Sequence, residues 1–163
     1  MIVRHDIRSI LTFLLALLFY TGFAQAQYSL LKDDAYYGIQ DDKGAIVIAP
    51  LYDQIGWSNG NFEMVGNFVG YSHRGKWGLL NIKTKKISAA IYYKLSVIDG
   101  GNILASIKGN LSNQLFYGII DSKGSIKISC NYFSIESKSQ GYVVSTYDYG
   151  TIKKGFYDNE FNL

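Results

Sequence analysis

A repeat of 40 residues constrains the fold of this chain more than any other feature of its sequence. Three glycines, each directly after an aromatic residue, are spaced by 40 residues, and three tyrosines recur with the same spacing. A fixed period of about 20–50 residues is typical of modular arrays, in which each unit buries its apolar face on its neighbours. The repeat positions are Tyr37, Gly38, Trp77, Gly78, Tyr117 and Gly118, with the tyrosines Tyr52, Tyr92 and Tyr132.

Each copy predicts the same small unit of antiparallel strands. An apolar strand follows the aromatic-glycine pair, and in two copies it leads into a turn with Asp first and Gly fourth, as in "DDKG" and "DSKG". Asp caps backbone amides in such a turn and Gly accepts the left-handed conformation, which favours a type I turn. An apolar return strand then leads to the repeated tyrosine. The repeat cores are residues 37–55, 77–95 and 117–135, with a partial fourth copy at 154–163.

The second copy departs from this pattern. Thr84 stands where the turn glycine is expected, and a β-branched residue is strained at positive φ. We therefore expect a different or wider turn there. Because Lys86 and Ser88 replace the alternating isoleucines of the other copies, its return strand should be shifted in register or less buried.

The fold class predicted is all-β. The chain has 14 Tyr, 9 Phe and 17 Gly but one Pro, a composition that suits short strands joined by glycine turns. Glycine-led closing strands are expected from Gly60, Gly100 and Gln140. The sequence predicts tandem antiparallel β-meander repeats, arranged as an open stack or in a propeller-like form, and unpaired edge strands in an open form favour self-association.

The glycine after each aromatic residue predicts a close contact. Without a Cβ, the glycine permits another backbone or ring to approach, and a neighbouring aromatic side chain can cover it. We expect Tyr37, Trp77 and Tyr117 to form a repeated row at the joints between units.

These residues resemble the WG repeats, a β-repeat family of bacterial proteins, over Tyr37 to Phe161, nearly the whole chain after the signal peptide. The family pattern is aromatic-Gly, apolar strand, Asp turn, apolar strand and Pro-x-Tyr. The residues that meet it are Tyr37-Gly38, Trp77-Gly78, Tyr117-Gly118, Asp41, Gly44, Asp121, Gly124, Pro50 and the three repeated tyrosines. Only the second copy has Trp and only the first has Pro. The resemblance implies a secreted or envelope-associated β-repeat protein and gives no mechanism.

Residues 1–26 have the pattern of a cleavable signal peptide. Arg4 and Arg8 precede an apolar run, residues 10–23, and "AQA" ends at Ala26. This order of a basic region, a short apolar core and a small-residue site is typical of secretory signals. An uncleaved membrane anchor is the alternative. With cleavage, residues 27–163 form the repeat domain, and this domain has no membrane span. The protein is then secreted or periplasmic. No cysteine stands at the cleavage point for lipid attachment.

The sequence favours a protein that is not an enzyme. His73 lies in the hairpin segment "SHRGK", and Cys130 is the single cysteine, without a histidine nearby in sequence to activate it. The sequence predicts no catalytic residue, metal site or cofactor. A net charge of +3 is too small to indicate nucleic acid as a partner.

A speculative binding site lies around the segment between the first two copies. Trp57, Phe62 and Tyr71 could stack on sugar rings, and Arg74 could bind an anionic polymer together with the lysines of the second copy. The alternatives are that the aromatic residues complete the core and that the charges form a solvated face. The function predicted is a structural or interaction module that binds a protein or an envelope polymer. A carbohydrate-binding or carbohydrate-active envelope protein and a truncated remnant of a longer repeat protein are the alternatives.

Overall fold

The chain folds into successive small antiparallel sheets. The computed structural model describes residues 27–98, 101–111 and 113–163. Within these residues there are thirteen strands in four sheets, and each sheet is a meander of consecutive strands. The prediction of an all-β repeat fold is confirmed. The predicted signal peptide, residues 1–26, lies outside the described residues.

The strands follow the repeat closely. The first sheet contains β1 (Ser29–Asp33), β2 (Tyr36–Gln40) and β3 (Ile46–Tyr52). The second contains β4 (Gln54–Ile55), β5 (Phe68–His73) and β6 (Lys76–Asn81). The third contains β7 (Lys94–Ile98), β8 (Asn102–Lys108), β9 (Leu115–Ile120) and β10 (Ile126–Tyr132). The fourth contains β11 (Ser134–Lys138), β12 (Gly141–Asp148) and β13 (Thr151–Asp158).

Three hydrophobic clusters join the sheets in chain order. One cluster, with Ile39 and Val69, lies between the first and second sheets. The next, with Trp77 and Ile103, lies between the second and third, and the last, with Ile119 and Val144, between the third and fourth. None of the three clusters combines the first sheet with the fourth. The described residues therefore form a stack in which each sheet packs on its sequence neighbours.

The Asp turns have the predicted geometry. The Asp41 carboxylate accepts hydrogen bonds from the amides of Lys43 at 3.0 Å and Ala45 at 2.8 Å, and Gly44 has φ +78°. Asp121 and Gly124 repeat this arrangement in the third copy. Capping by the carboxylate and a left-handed glycine therefore close both turns.

The second copy has the wider turn and the shifted return segment expected for it. The Asn81 amide donates to the Lys86 carbonyl at 2.8 Å, whereas the Asp41 amide reaches only to Ala45. The left-handed residue is Lys85, at φ +57°, one position after Thr84. The return segment makes isolated bridges instead of a regular strand, and Ile87 is 53% exposed.

One predicted strand is wrong. The segment from Gly60 to Val65 contains no strand; it belongs to a loop between β4 and β5, and Phe68–His73 is the strand that pairs with β6. The loop replaces a strand because two of its glycines, Gly60 and Gly66, take positive φ. The closing strands expected from Gly100 and Gln140 begin at Asn102 and Gly141.

In the part of the chain covered by the structure, no helix has the length and apolarity needed to cross a membrane.

Candidate functional site

The side chains with reactive groups mostly hold the turns and the joints. His73 lies exposed at the end of β5, beside the two-residue turn Arg74–Gly75, in which both residues have positive φ. This is the geometry of a tight β-hairpin turn. Among the described residues, no three His, Cys, Asp or Glu side chains are grouped as metal ligands would be.

Cys130 is partly buried on β10. Its Sγ lies 3.7 Å from the Ala105 carbonyl oxygen, and burial raises the pKa of the thiol to about 11. Because the thiolate is the nucleophile, a thiol with this pKa is a weak one at neutral pH.

Trp57 lies in the core instead of on a binding surface. The side chain is 1% exposed and belongs to the cluster between the second and third sheets. Its indole N–H donates to the Glu63 carbonyl at 3.0 Å. No face of the ring is open for a sugar, so its position favours the alternative that Trp57 completes the core.

The other speculative binding residues do not assemble into one surface. Tyr71 is 4% exposed, and Phe62 is half-buried against the cluster between the first and second sheets. Arg74 is exposed, and its backbone amide donates to the Asp53 carboxylate at 2.6 Å. The structure therefore leaves Arg74 in solvent and places both aromatic rings against the core.

The positive charges of the second copy separate into two groups. Arg74 and Lys76 lie at the start of β6, whereas Lys83, Lys85 and Lys86 follow its end. A six-residue strand is about 20 Å long at about 3.3 Å per residue, so the two groups occupy opposite ends of the strand.

The aromatic-glycine pairs occupy equivalent register positions in three sheets. Tyr37 pairs with Tyr52 across β2 and β3, Tyr117 with Tyr132 across β9 and β10, and Trp77 bridges to Tyr92. Trp77 is 8% exposed in the cluster between the second and third sheets, Tyr37 packs on the preceding cluster, and Tyr117 is half-buried.

The glycines of these pairs have close neighbours of two kinds. A Cβ at Gly38 would collide with the backbone of Ile48, and one at Gly118 with the backbone of Ile128. At Gly78 the neighbour is a side chain, because the Tyr71 ring would lie 2.6 Å from an added Cβ. The bare glycine is thus covered by a backbone in the first and third copies and by a ring in the second.

The repeated tyrosines lie one at each joint. Tyr92 is 7% exposed in the cluster between the second and third sheets. Tyr52 packs on Tyr71 with ring centroids 4.9 Å apart. The hydroxyls of Tyr132 and Tyr157 lie 2.9 Å apart, and their hydrogen bond raises the pKa of Tyr132 to about 12.

A row of buried serines is a repeat feature that the sequence did not reveal. Ser72, Ser106 and Ser145 are 6%, 1% and 4% exposed, and each stands opposite the position before the repeat glycine. The backbone carbonyl of each serine accepts a hydrogen bond from the backbone amide of the residue that follows a repeated tyrosine. The donors are Asp53 to Ser72 at 3.1 Å, Tyr93 to Ser106 at 2.7 Å and Phe133 to Ser145 at 3.0 Å. Their spacing differs from the 40-residue period, so periodicity alone could not have found them.

The comparison with known families identifies the repeat. Residues 37–71 match the family model for the WG containing repeat. The chain carries a WG repeat. The match confirms the resemblance to the WG-repeat family over this segment, which runs from β2 to Tyr71 on β5. The WG repeat therefore spans the joint between two sheets instead of a single sheet. No curated protein and no solved structure matches the chain.

The fourth copy repeats the Asp turn without its glycine. The Asp158 carboxylate accepts the amides of Glu160 at 2.9 Å and Asn162 at 2.8 Å, as Asp41 does for its own turn. The side-chain amide of Asn162 lowers the pKa of Asp158. Phe161 takes the left-handed position, at φ +67°, and its ring stacks on Tyr142 with centroids 5.5 Å apart.

An exposed apolar surface lies on the fourth sheet. Tyr147, Ile152 and Phe156 are 69%, 55% and 45% exposed, and the register places them on one face of the sheet, because Tyr147 pairs with Ile152 and Phe156 lies four residues further along β13. Lys154 is exposed between Ile152 and Phe156 on β13. We call these four side chains the outer face of the fourth sheet.

Two cavities open beside Cys130. One, of about 160 Å³, is apolar and lies between Tyr92, Ala105, Ile120 and Ile128. The other, of about 590 Å³, is a shallow depression along residues 107–111.

Proposed function

We propose that this chain is an exported, non-catalytic β-repeat protein that acts as a structural or interaction module, with a protein as its partner. The outer face of the fourth sheet is the observation that carries the proposal. Exposed apolar side chains that lie together on one sheet are typical of surfaces that bind another protein.

The hydrogen bonding and the burial of the potentially reactive side chains support a non-catalytic role. The carboxylates of Asp41 and Asp121 are bonded to turn amides, and Cys130 is a weak nucleophile. Catalysis by a carboxylate or a thiol needs the group free and suitably ionised. In this chain these groups serve the architecture instead.

Photo-crosslinking tests the proposal. A photoreactive phenylalanine analogue at Phe156 keeps the aromatic character of the outer face, and the same analogue at Ile87, which is 53% exposed in the return segment of the second copy, is the control. We expect protein adducts in the native host from position 156 and none from position 87. Equal adducts from both positions, or none from either, contradict an interaction role for the outer face.

Export requires its own test. Fractionation of the host should place the protein in the envelope or the medium, and N-terminal sequencing should find Gln27 first. A protein that stays in the cytoplasm with its first residues intact contradicts export.

Carbohydrate binding is the second candidate function, with its site at Tyr147 and Tyr149 instead of Trp57. Tyr147 and Tyr149 are 69% and 102% exposed, and exposed rings can stack on sugars, whereas Trp57 is buried. A glycan array separates the two candidates: binding that is lost in Tyr147→Ala and kept in Trp57→Phe favours a carbohydrate partner, and no binding to any glycan rejects it.

A further inference from the structure

The first three sheets show which residue of each sheet is buried by the sheet that follows. The residue after the repeat glycine is Ile39, Leu79 or Ile119 in the first three sheets, with exposures of 0%, 5% and 0%. Each lies in the cluster shared with the following sheet. Phe156 holds the same register position in the fourth sheet and is 45% exposed. The outer face is therefore built like a joint, and the described residues place no sheet upon it.

The first sheet has an opposite face with complementary features. Register partners share a face, so Leu31, Asp33, Tyr36 and Gln40 lie on the side of β1 and β2 away from the second sheet. Tyr36 is 49% exposed and Asp33 is exposed. We call these four residues the front face.

The front face corresponds position by position to surfaces that are buried elsewhere in the stack. Leu31, opposite Gly38, has the register position of Ala105, opposite Gly118. Asp33, opposite Tyr36, has that of Ile107, opposite Phe116. Ala105 and Ile107 both pack in the cluster between the second and third sheets.

We propose that copies of this chain associate head to tail, the outer face of one packing on the front face of the next. The joint between the second and third sheets places Trp77 and Ile107 in one cluster. The residues at these two positions in the proposed contact are Lys154 and Asp33, which carry opposite charges. Phe156 takes the position of Leu79 and packs toward Leu31.

The register favours this arrangement over two outer faces packed on each other, because only the head-to-tail contact repeats the positions of the joint between the second and third sheets. The outer face itself carries charges of both signs, since Glu136 lies opposite Val143 on the same face as Phe156 and Lys154. The head-to-tail contact is heterologous, so it builds rings or open filaments larger than a dimer. This inference rests on the proposed interaction function and names its partner as a second copy.

Charge reversal at the two faces tests the inference. The full chain would be compared by sedimentation velocity over a range of concentrations with Lys154→Asp, Asp33→Lys and the double variant. Lys83→Asp, at an exposed turn position after β6 in the second sheet, controls for the change in net charge. All variants carry the same N-terminal segment, so its contribution cancels, and circular dichroism confirms that each variant is folded.

We expect the wild-type chain to form species larger than a dimer as its concentration rises. Each single reversal should raise the concentration needed by about tenfold or more, because like charges then meet at the contact, and the double variant should restore association. Single variants that associate like Lys83→Asp overturn the inference and point to pairing through strand edges. A wild-type chain that stays monomeric also overturns it, while adducts from Phe156 to another protein would leave the proposed function standing.

Discussion

The Tyr71 ring lies over Gly78, its register partner on the neighbouring strand. A Cβ added to Gly78 would meet the ring carbon Cε1 at 2.6 Å and the hydroxyl oxygen at 2.9 Å. The Tyr71 hydroxyl donates to the Ser88 carbonyl at 2.5 Å, which ties the ring to the return segment of the same copy. Gly78 thus makes room for a ring that packs in the joint with the first sheet.

Replacement of this glycine should destabilise the fold. Gly78→Ala forces the Tyr71 ring out of its position, so we expect the free energy of unfolding to fall by about 1–3 kcal/mol, the scale of overpacking. Urea denaturation measures the change. Gly155→Ala is a matched control at the same register position, because the nearest atoms there are side-chain carbons at 3.3 and 3.4 Å. Its effect should stay within about 0.5 kcal/mol, and equal effects at the two positions would refute the close-contact explanation.

The turn carboxylates should contribute measurably to stability. Asp41→Ala removes two hydrogen bonds to turn amides, which we expect to cost about 1–2 kcal/mol. The neighbouring Asp42 accepts no hydrogen bond from the residues that the structure covers, so Asp42→Ala is the control and should be near neutral. Thermal denaturation of the two variants measures the difference in stability. A larger loss of stability in Asp42→Ala than in Asp41→Ala contradicts the capping role of Asp41.

Stability should fall at high pH through the Tyr132–Tyr157 hydrogen bond. The pKa of Tyr132 is raised to about 12 in the folded chain, so the unfolded chain loses this proton first, near the usual value of 10. The contribution is complete below about pH 10 and is lost as the pH rises toward 12. Burial also raises the pKa of Tyr71 and Tyr92, which act in the same direction.

Tyr132→Phe separates this pair from the other tyrosines. It should lower the free energy of unfolding at pH 9 by about 0.5–1.5 kcal/mol and flatten its decline between pH 10 and 12. Tyr149→Phe, at a fully exposed ring, is the control. Denaturant titrations at several pH values measure the free energy of unfolding. If it declines between pH 10 and 12 as steeply in Tyr132→Phe as in the wild-type chain, the Tyr132–Tyr157 pair does not cause the decline.

Cys130 should react slowly in the folded chain. A pKa of about 11, against the ordinary value of 9.0, reduces the thiolate fraction at pH 8 by about a hundredfold. We expect the native thiol to react with a maleimide at least tenfold more slowly than the same thiol in denaturant. Equal rates would show that the thiol is neither buried nor suppressed.

The repeat spacing predicted much of the fold because residues at a fixed spacing within each copy are paired across neighbouring strands. Tyr37 and Tyr52 lie opposite each other, as do Tyr117 and Tyr132, and the Asp turns between them have a fixed length. Even the irregular second copy was predictable, since Thr84 cannot easily take the left-handed position that Lys85 occupies.

The rest depends on contacts that local sequence does not encode. Trp57 follows a strand in a segment rich in glycine and looks exposed, yet a loop carries it into the joint with the third sheet. The outer face was also unpredictable, because Phe156 looks like any apolar strand residue. Its exposure has meaning only against the burial of Ile39, Leu79 and Ile119.

The central claim is that Trp57 and Trp77 hold the joint between the second and third sheets, and tryptophan fluorescence tests it most directly. Trp57 and Trp77 are the two tryptophans of the chain, and both lie in the cluster between the second and third sheets. We predict blue-shifted emission and much weaker acrylamide quenching in the folded chain than in the same chain in guanidinium. Quenching of the folded chain as strong as that of the denatured chain would contradict the account.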